Sequence, residues 1–320
     1  MKKIICVVFI FILVTGCISV LIDYSGLAGE EVVVSIPQGS GATEIVEILE
    51  EKKIISFPFL FTQYIKKDAA GLKAGVHCFK KRMGYKDALE ELKKDVPLEN
   101  SILITIPEGY EAREIATLLE MNGIVSASAF DVACKTAYTR YSFLPSDGNV
   151  EGYLFPATYE FLPDSSPELV VDKMLQTFSQ KMVSDEIINR TEELNMEFHE
   201  VLTLASIIER EAAKDEERAL VSSVFHNRLR KNMRLESCAT VQYILKERKD
   251  VLSVADTKID SVYNTYRNEG LPPAPISSPG KESLHAALYP KESDYLFFVA
   301  DGNGGHTFSK TYDEHKTASR

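Results

Sequence analysis

Two stretches of the chain, 70 residues apart, carry one pattern, and no other feature constrains the fold as much. Residues 36–56 read IPQGSGATEIVEILEEKKIIS, and residues 106–126 read IPEGYEAREIATLLEMNGIVS. Ile-Pro-x-Gly, Ala, Glu-Ile, Leu-Glu, Ile and Ser recur at matching offsets, too many to be chance. A β-rich run, Val32–Val34 or Ile102–Thr105, leads into each proline. Gly39 and Gly109 make the turn. Ile45, Ile48 and Leu49, like Ile115, Leu118 and Leu119, then share one face of a short helix. The unit is strand, turn, amphipathic helix, so the chain is α+β.

The first copy continues through a helix near 57–66, a β-like segment at 73–79 and a helix near 85–94. This predicts a small α+β module over 32–97, with Pro97 and Asn100 marking its boundary. Residues 98–320 form a larger α+β region whose core is expected at about 150–320. Across the 320 residues the formal charge is −11, which argues against a protein that holds nucleic acid through general charge.

The apolar content is uneven. Lys2 and Lys3 precede an uncharged run from Ile4 to Ile22, and Asp23 follows it. That run is long enough for a short span, and the two lysines favour a cytoplasmic N-terminus with the body outside. Residues 1–22 read as an uncleaved membrane anchor, as a lipoprotein signal with Val14-Thr15-Gly16-Cys17 as lipobox, or as a secretory signal. Residues 23–31 read as a linker. Cys78, Cys134 and Cys238 remain, an odd and widely spaced set that predicts unpaired thiols.

Residues 200–213 predict a helix with Val201, Leu204, Ala205, Ile208 and Ala212 in one stripe. Glu211 lies beside that stripe, and Glu209 lies about 200° away around the helix. A carboxyl held against apolar neighbours keeps its proton and can act as a general acid, though a lone helix glutamate is more often a solvated one. A second helix carries His226, Asn227 and Arg228 on different faces. Residues 263–280, YNTYRNEGLPPAPISSPG, form a stiff loop in which Tyr263, Asn264 and Tyr266 offer aromatic faces and an amide suited to sugar rings, or merely support the loop. Tyr295–Val299 predicts a buried strand leading into a glycine-rich turn with His306 and Phe308. Zinc spacing, P-loop, GxGxxG and GxSxG motifs are absent, and no metal or cofactor is expected.

ASIIEREAA, VFHNRLRKNMRLES, ATVQY, YNTYRNEGLPPAPISSPG, ALYP and YLFFVADGNGGHTFSKTYDEH occur in this order. With VEGYLFPATYEF at 150–161, this combination resembles the YceG-like family of endolytic murein transglycosylases over nearly the whole chain. The resemblance implies a membrane-bound lytic transglycosylase with a LysM-like module at 32–97. It would cut peptidoglycan glycan strands between N-acetylmuramic acid and N-acetylglucosamine and leave a 1,6-anhydro end. It assigns catalysis to Glu211, the second Glu of Glu-x-Glu, with Glu151 and Glu209 available to tune the site. It places Tyr153, Asn227, Tyr263, Asn264, His306 and Phe308 along the glycan groove, and peptidoglycan synthases among the partners. One segment departs from the family pattern: Leu-Gln-Ser/Thr-Asp-Pro-Thr is here Leu235-Glu236-Ser237-Cys238-Ala239-Thr240, so Glu236 is expected to take over substrate orientation. A muramidase that uses water and a non-catalytic wall-binding scaffold are the alternatives.

Overall fold

The computed structural model describes residues 29–66, 71–96, 100–136, 138, 140–212, 214–249 and 251–319. The apolar run at 4–22 lies outside these residues. Among the described residues no helix is long and apolar enough to cross a membrane. The chain divides into two compact units, one reaching to Ile102 with residues 160–162, the other holding 103–159 and 163–320.

In the first unit, β1 (Glu31–Ile36) pairs antiparallel with β2 (Gly75–Lys80), with Glu31 opposite Lys80 and Ile36 opposite Gly75. Period-two alternation points Val34 and Ile36 inward and leaves Val33 exposed. Helices α1 (Ala42–Glu51), α2 (Pro58–Ile65) and α3 (Tyr85–Leu92) cover the ribbon. Their buried faces supply Ile45, Leu49, Phe61, Ile65, Ala88 and Leu92 to one core. A two-stranded ribbon is marginal alone, so this packing is what holds it.

The second repeat copy supplies β3 (Ile102–Thr105) and α4 (Ala112–Met121). Both repeat helices are ten residues long, and both turns use a left-handed glycine, Gly39 and Gly109. The backbone also turns left-handed at Lys53 and Gly123, again 70 residues apart. The repeat is therefore one of backbone conformation as well as of residues. α4 begins with a reciprocal capping box between Glu111 and Glu114. The short α5 (Ala127–Ala133) follows, and β4 (Thr158–Phe161) returns to pair with β3.

The remaining helices are α6 (Pro167–Met182), α7 (Asp185–Glu193), α8 (Phe198–Glu211), α9 (Asp215–Arg230), α10 (Cys238–Leu245), α11 (Lys281–Leu288) and α12 (Tyr312–Ala318). Among them α8 packs against α7, α9, α10 and α11, while α12 packs on the terminal hairpin. The expected one-sided stripe on α8 is too narrow a description: Val201 to Ile208 are all buried, so this is the central helix of the unit. β5 (Phe297–Ala300) and β6 (His306–Ser309) form an antiparallel hairpin. The expected buried strand at 295–299 is corrected here, because every residue of β5 keeps some solvent contact. A two-stranded hairpin packed on a helix bundle buries only one face.

The backbone passes close to the 275–277 segment at Gly152. Its φ is +83°, and a Cβ there would stand 2.3 Å from Pro275 Cβ and 3.2 Å from the Ser277 carbonyl. Gly152→Ala combines backbone strain with overpacking. It should lower the unfolding free energy by at least about 2 kcal/mol in denaturant titration, and an unchanged midpoint would show that the loop yields freely.

Candidate active site

Glu211 is the last residue of α8, and its carboxyl points at the start of another helix. Oε1 accepts the Ser237 hydroxyl at 2.5 Å and the Ala239 N–H at 3.2 Å. No described residue bonds Oε2. Ser237 is the residue before α10, where a serine ordinarily caps its own helix. Here its hydroxyl makes no such cap, and Glu211 satisfies an otherwise unpaired N–H of α10 instead. The expected apolar surroundings of Glu211 are thus corrected at the carboxyl itself: a hydroxyl and a backbone N–H hold it.

Behind Ser237 lies a buried cluster of hydroxyls. The Ser237 N–H donates to Thr265 Oγ1 at 3.0 Å. Thr265 Oγ1 and Thr240 Oγ1 are 2.9 Å apart, and Thr240 donates to the Ser237 carbonyl at 2.8 Å. Ser237, Thr240 and Thr265 are almost completely buried. The 263–266 segment thus reaches the Glu211 carboxyl through Thr265, which the sequence reading passed over. Tyr266 follows, with its hydroxyl 3.1 Å from the thiol of Cys238. Burial raises both the phenol and the thiol above their ordinary values.

Asn264 is fully buried and does not face a groove. Its amide donates to the carbonyls of Thr257 (3.1 Å) and Ile259 (2.7 Å), and its Oδ1 accepts the Tyr266 N–H, so it braces the loop that presents Thr265. Asn227 is likewise buried on α9, donating to the carbonyls of Ser293 and Tyr295. Tyr153 is a core residue: its ring packs with Phe143 and Phe178, and its hydroxyl meets His199 Nδ1 at 2.8 Å. For these three the expected groove position gives way to a bracing one. Each is a polar group whose burial requires a partner, and each has one.

The other expected residues keep surface. Tyr263 is half-buried, its ring 5.1 Å from that of Tyr243. Glu236 is exposed, takes a left-handed φ of 53° and accepts from Arg228 at 3.0 Å. His306 and Phe308 are half-buried on β6. His306 Nδ1 stands 2.8 Å from Glu217 Oε2, and its backbone N–H donates to Glu217 Oε1. Burial works against ionisation of Glu217, but these His306 contacts outweigh it and hold the carboxyl below its usual range.

The two neighbouring glutamates are differently engaged. Glu209 pairs with Arg218 at 3.2 Å and accepts the Gly280 N–H at the start of α11. Glu151 is buried and accepts the Ala112 N–H at the start of α4 at 2.9 Å. Burial outweighs those bonds and raises its pKa to about 8. The turn of the second repeat meets α8 here: Arg210 donates to the Gly109 carbonyl, while the Gly109 N–H donates to the Ser278 carbonyl and the Ser278 N–H to the Tyr110 carbonyl along this edge. Cys78, Cys134 and Cys238 are all free thiols. Among the described residues, no three His, Cys, Asp or Glu side chains gather as metal ligands would.

Glu151 makes a pH prediction with a definite sign. Folding raises its pKa from 4.5 to about 8, so the folded state keeps a proton that the unfolded chain releases between those values. Its contribution to stability therefore falls as pH rises through that window. Glu151→Gln should gain stability over wild type between pH 5.5 and 7.5, by up to about 1.4 kcal/mol per pH unit. Urea unfolding at both pH values checks this, and parallel pH dependences would refute it.

Sequence and fold comparisons agree on one family. The model of the YceG-like family matches residues 34–320. The endolytic murein transglycosylase of Bacillus subtilis (strain 168) is 33% identical over 308 residues, covering 89% of this chain and 83% of that protein. The endolytic murein transglycosylase of Streptococcus pneumoniae serotype 2 is 34% identical over 307 residues, which is 87% of this chain but 55% of that longer protein. A crystal structure of a YceG-like protein from Listeria monocytogenes aligns with a TM-score of 0.62 at 34% identity, covering 91% of this chain and 99% of the other. The chain belongs to the YceG-like family.

Proposed function

We propose that this chain is an endolytic lytic transglycosylase of peptidoglycan, with Glu211 as its catalytic residue. The relatives named above support the reaction class. One observation carries the choice of residue: Glu211 Oε1 is held by Ser237 and Ala239 while no described residue takes Oε2. A carboxyl fixed by one oxygen and open at the other suits proton transfer.

The reaction follows from a single such group. Protonated Glu211 gives its proton to the glycosidic oxygen between N-acetylmuramic acid and N-acetylglucosamine. As that bond breaks, positive charge develops at the muramic C1. The carboxylate then removes the proton from the C6 hydroxyl of the same sugar, and that oxygen closes on C1. Glu211 ends protonated, ready for the next cut, and a 1,6-anhydromuramic end remains. A hydrolase of the usual kind needs a second carboxylate or an activated water; this route needs neither. Tyr263, Glu236, His306 and Phe308 keep the surface with which to meet the glycan.

The same reading places residues 1–22 in the cytoplasmic membrane, by a helix or a lipid on Cys17, with the body outside. It makes 32–97 a LysM-like wall-binding module, 98–320 the catalytic region and peptidoglycan synthases the partners, whose strand extension the cut limits. The apolar head and the ribbon-and-helix module support this.

Digestion of purified glycan strands tests the reaction. Wild type should release internal fragments with anhydromuramic ends by mass spectrometry, and Glu211→Gln should lower the rate by at least about a thousandfold. Reducing muramic ends would indicate a muramidase, and no release by wild type would leave a binding scaffold.

A further inference from the structure

The hydroxyl of Ser237 stands where a serine normally caps the helix it precedes, yet it serves Glu211 instead. Three observations make this a built contact. Ser237 is 2% exposed, so solvent does not compete for its hydroxyl. Its backbone is pinned on both sides, by Thr265 Oγ1 at the N–H and by Thr240 Oγ1 at the carbonyl. The Ala239 N–H, two residues on, meets the same carboxyl oxygen, so Oε1 has two donors at fixed positions.

We propose that Ser237 is the positioning residue of the reaction, holding Glu211 Oε1 so that Oε2 alone meets the glycan. This rests on the reading of Glu211 as the catalytic residue. The carboxyl must serve two oxygens in turn, the glycosidic oxygen and the C6 hydroxyl. A side chain with several free torsions reaches both only part of the time. Two donors on Oε1 remove rotation about the last torsion and leave one oxygen to transfer protons. Thr265 extends the device into the 263–266 loop, so the segment bearing Tyr263 and Tyr266 is joined to the carboxyl it flanks.

The contact is separable from helix stability. Because the Ser237 side chain does not cap α10, Ser237→Ala removes no cap from that helix, and Glu211 still accepts from Ala239. A hydrogen bond to a carboxylate of this kind supports a rate effect of about ten- to a hundredfold. Ser237→Thr keeps the hydroxyl.

The test uses the full chain on purified glycan strands, with Glu211→Gln in parallel. Ser237→Ala should lower kcat about ten- to a hundredfold with KM within about twofold and the melting temperature near wild type. Ser237→Thr should restore most of kcat. Wild-type kcat in Ser237→Ala beside an inactive Glu211→Gln would overturn the positioning role alone. A loss of fold, or a raised KM at unchanged kcat, would overturn it in favour of a structural or binding role. Full activity in Glu211→Gln would instead overturn the catalytic reading on which the proposal stands.

Discussion

A carboxylate from one helix closes the start of another. The first N–H groups of α10 have no partner within that helix, and Glu211 at the end of α8 takes the one at Ala239. The contact joins two elements 26 residues apart in sequence through Ser237. It also fixes the direction of the side chain, because an acceptor shared by a hydroxyl and a backbone N–H has little room to rotate. The central position of α8 gives the contact its rigidity. Val201 to Ile208 are buried on all sides, so the end of the helix inherits the stiffness of a close-packed core.

The irregular segments around α8 and α9 are tied down by polar side chains that bond backbone groups. Ser206, buried in α8, accepts the Ile276 N–H, and the Ser277 hydroxyl reaches the Ser206 carbonyl. Asn264 clamps the turn at 257–259, and Asn227 clamps 293–295, each through two carbonyls. A carbonyl buried without a donor costs on the order of 1–3 kcal/mol, so these amides determine where the irregular segments can lie. Glu217 does the same for the hairpin, where both carboxylate oxygens engage His306.

These roles mark the limit of what the sequence discloses. The repeat was fully legible, because strand, proline, glycine and helix face all announce themselves locally. Motif order also singles out Glu211, whose proposed role is argued from the contacts of its carboxyl. The function of Asn227, Asn264 and Tyr153 was not legible. A polar residue in a recognisable motif looks the same whether it faces a sugar or braces a loop, and only its burial distinguishes the two. Ser237 and Thr265 were hidden for a related reason. A serine before an apolar run reads as a cap, and the partner it actually serves lies on another helix. Such contacts depend on tertiary packing and leave no local period.

Three glutamates stand in or beside the motifs, and their surroundings separate their parts. Glu209 faces Arg218 and the start of α11, so its charge is matched and its oxygens are engaged. Glu151 is buried under α4 with a raised pKa, and it resists carrying a charge at neutral pH. An acid that must both give and take a proton within one turnover can be neither locked in a salt bridge nor sealed in the core. It needs one oxygen held by polar donors and another within reach of the sugar. Glu211, half-buried at the end of a rigid helix, has one oxygen held by two polar donors and no described partner on the other, which is why it is the residue proposed for these transfers. In the proposed reaction, what suits Glu211 to act as the single carboxylate is the placement of a helix start beside it, which fixes one of its oxygens.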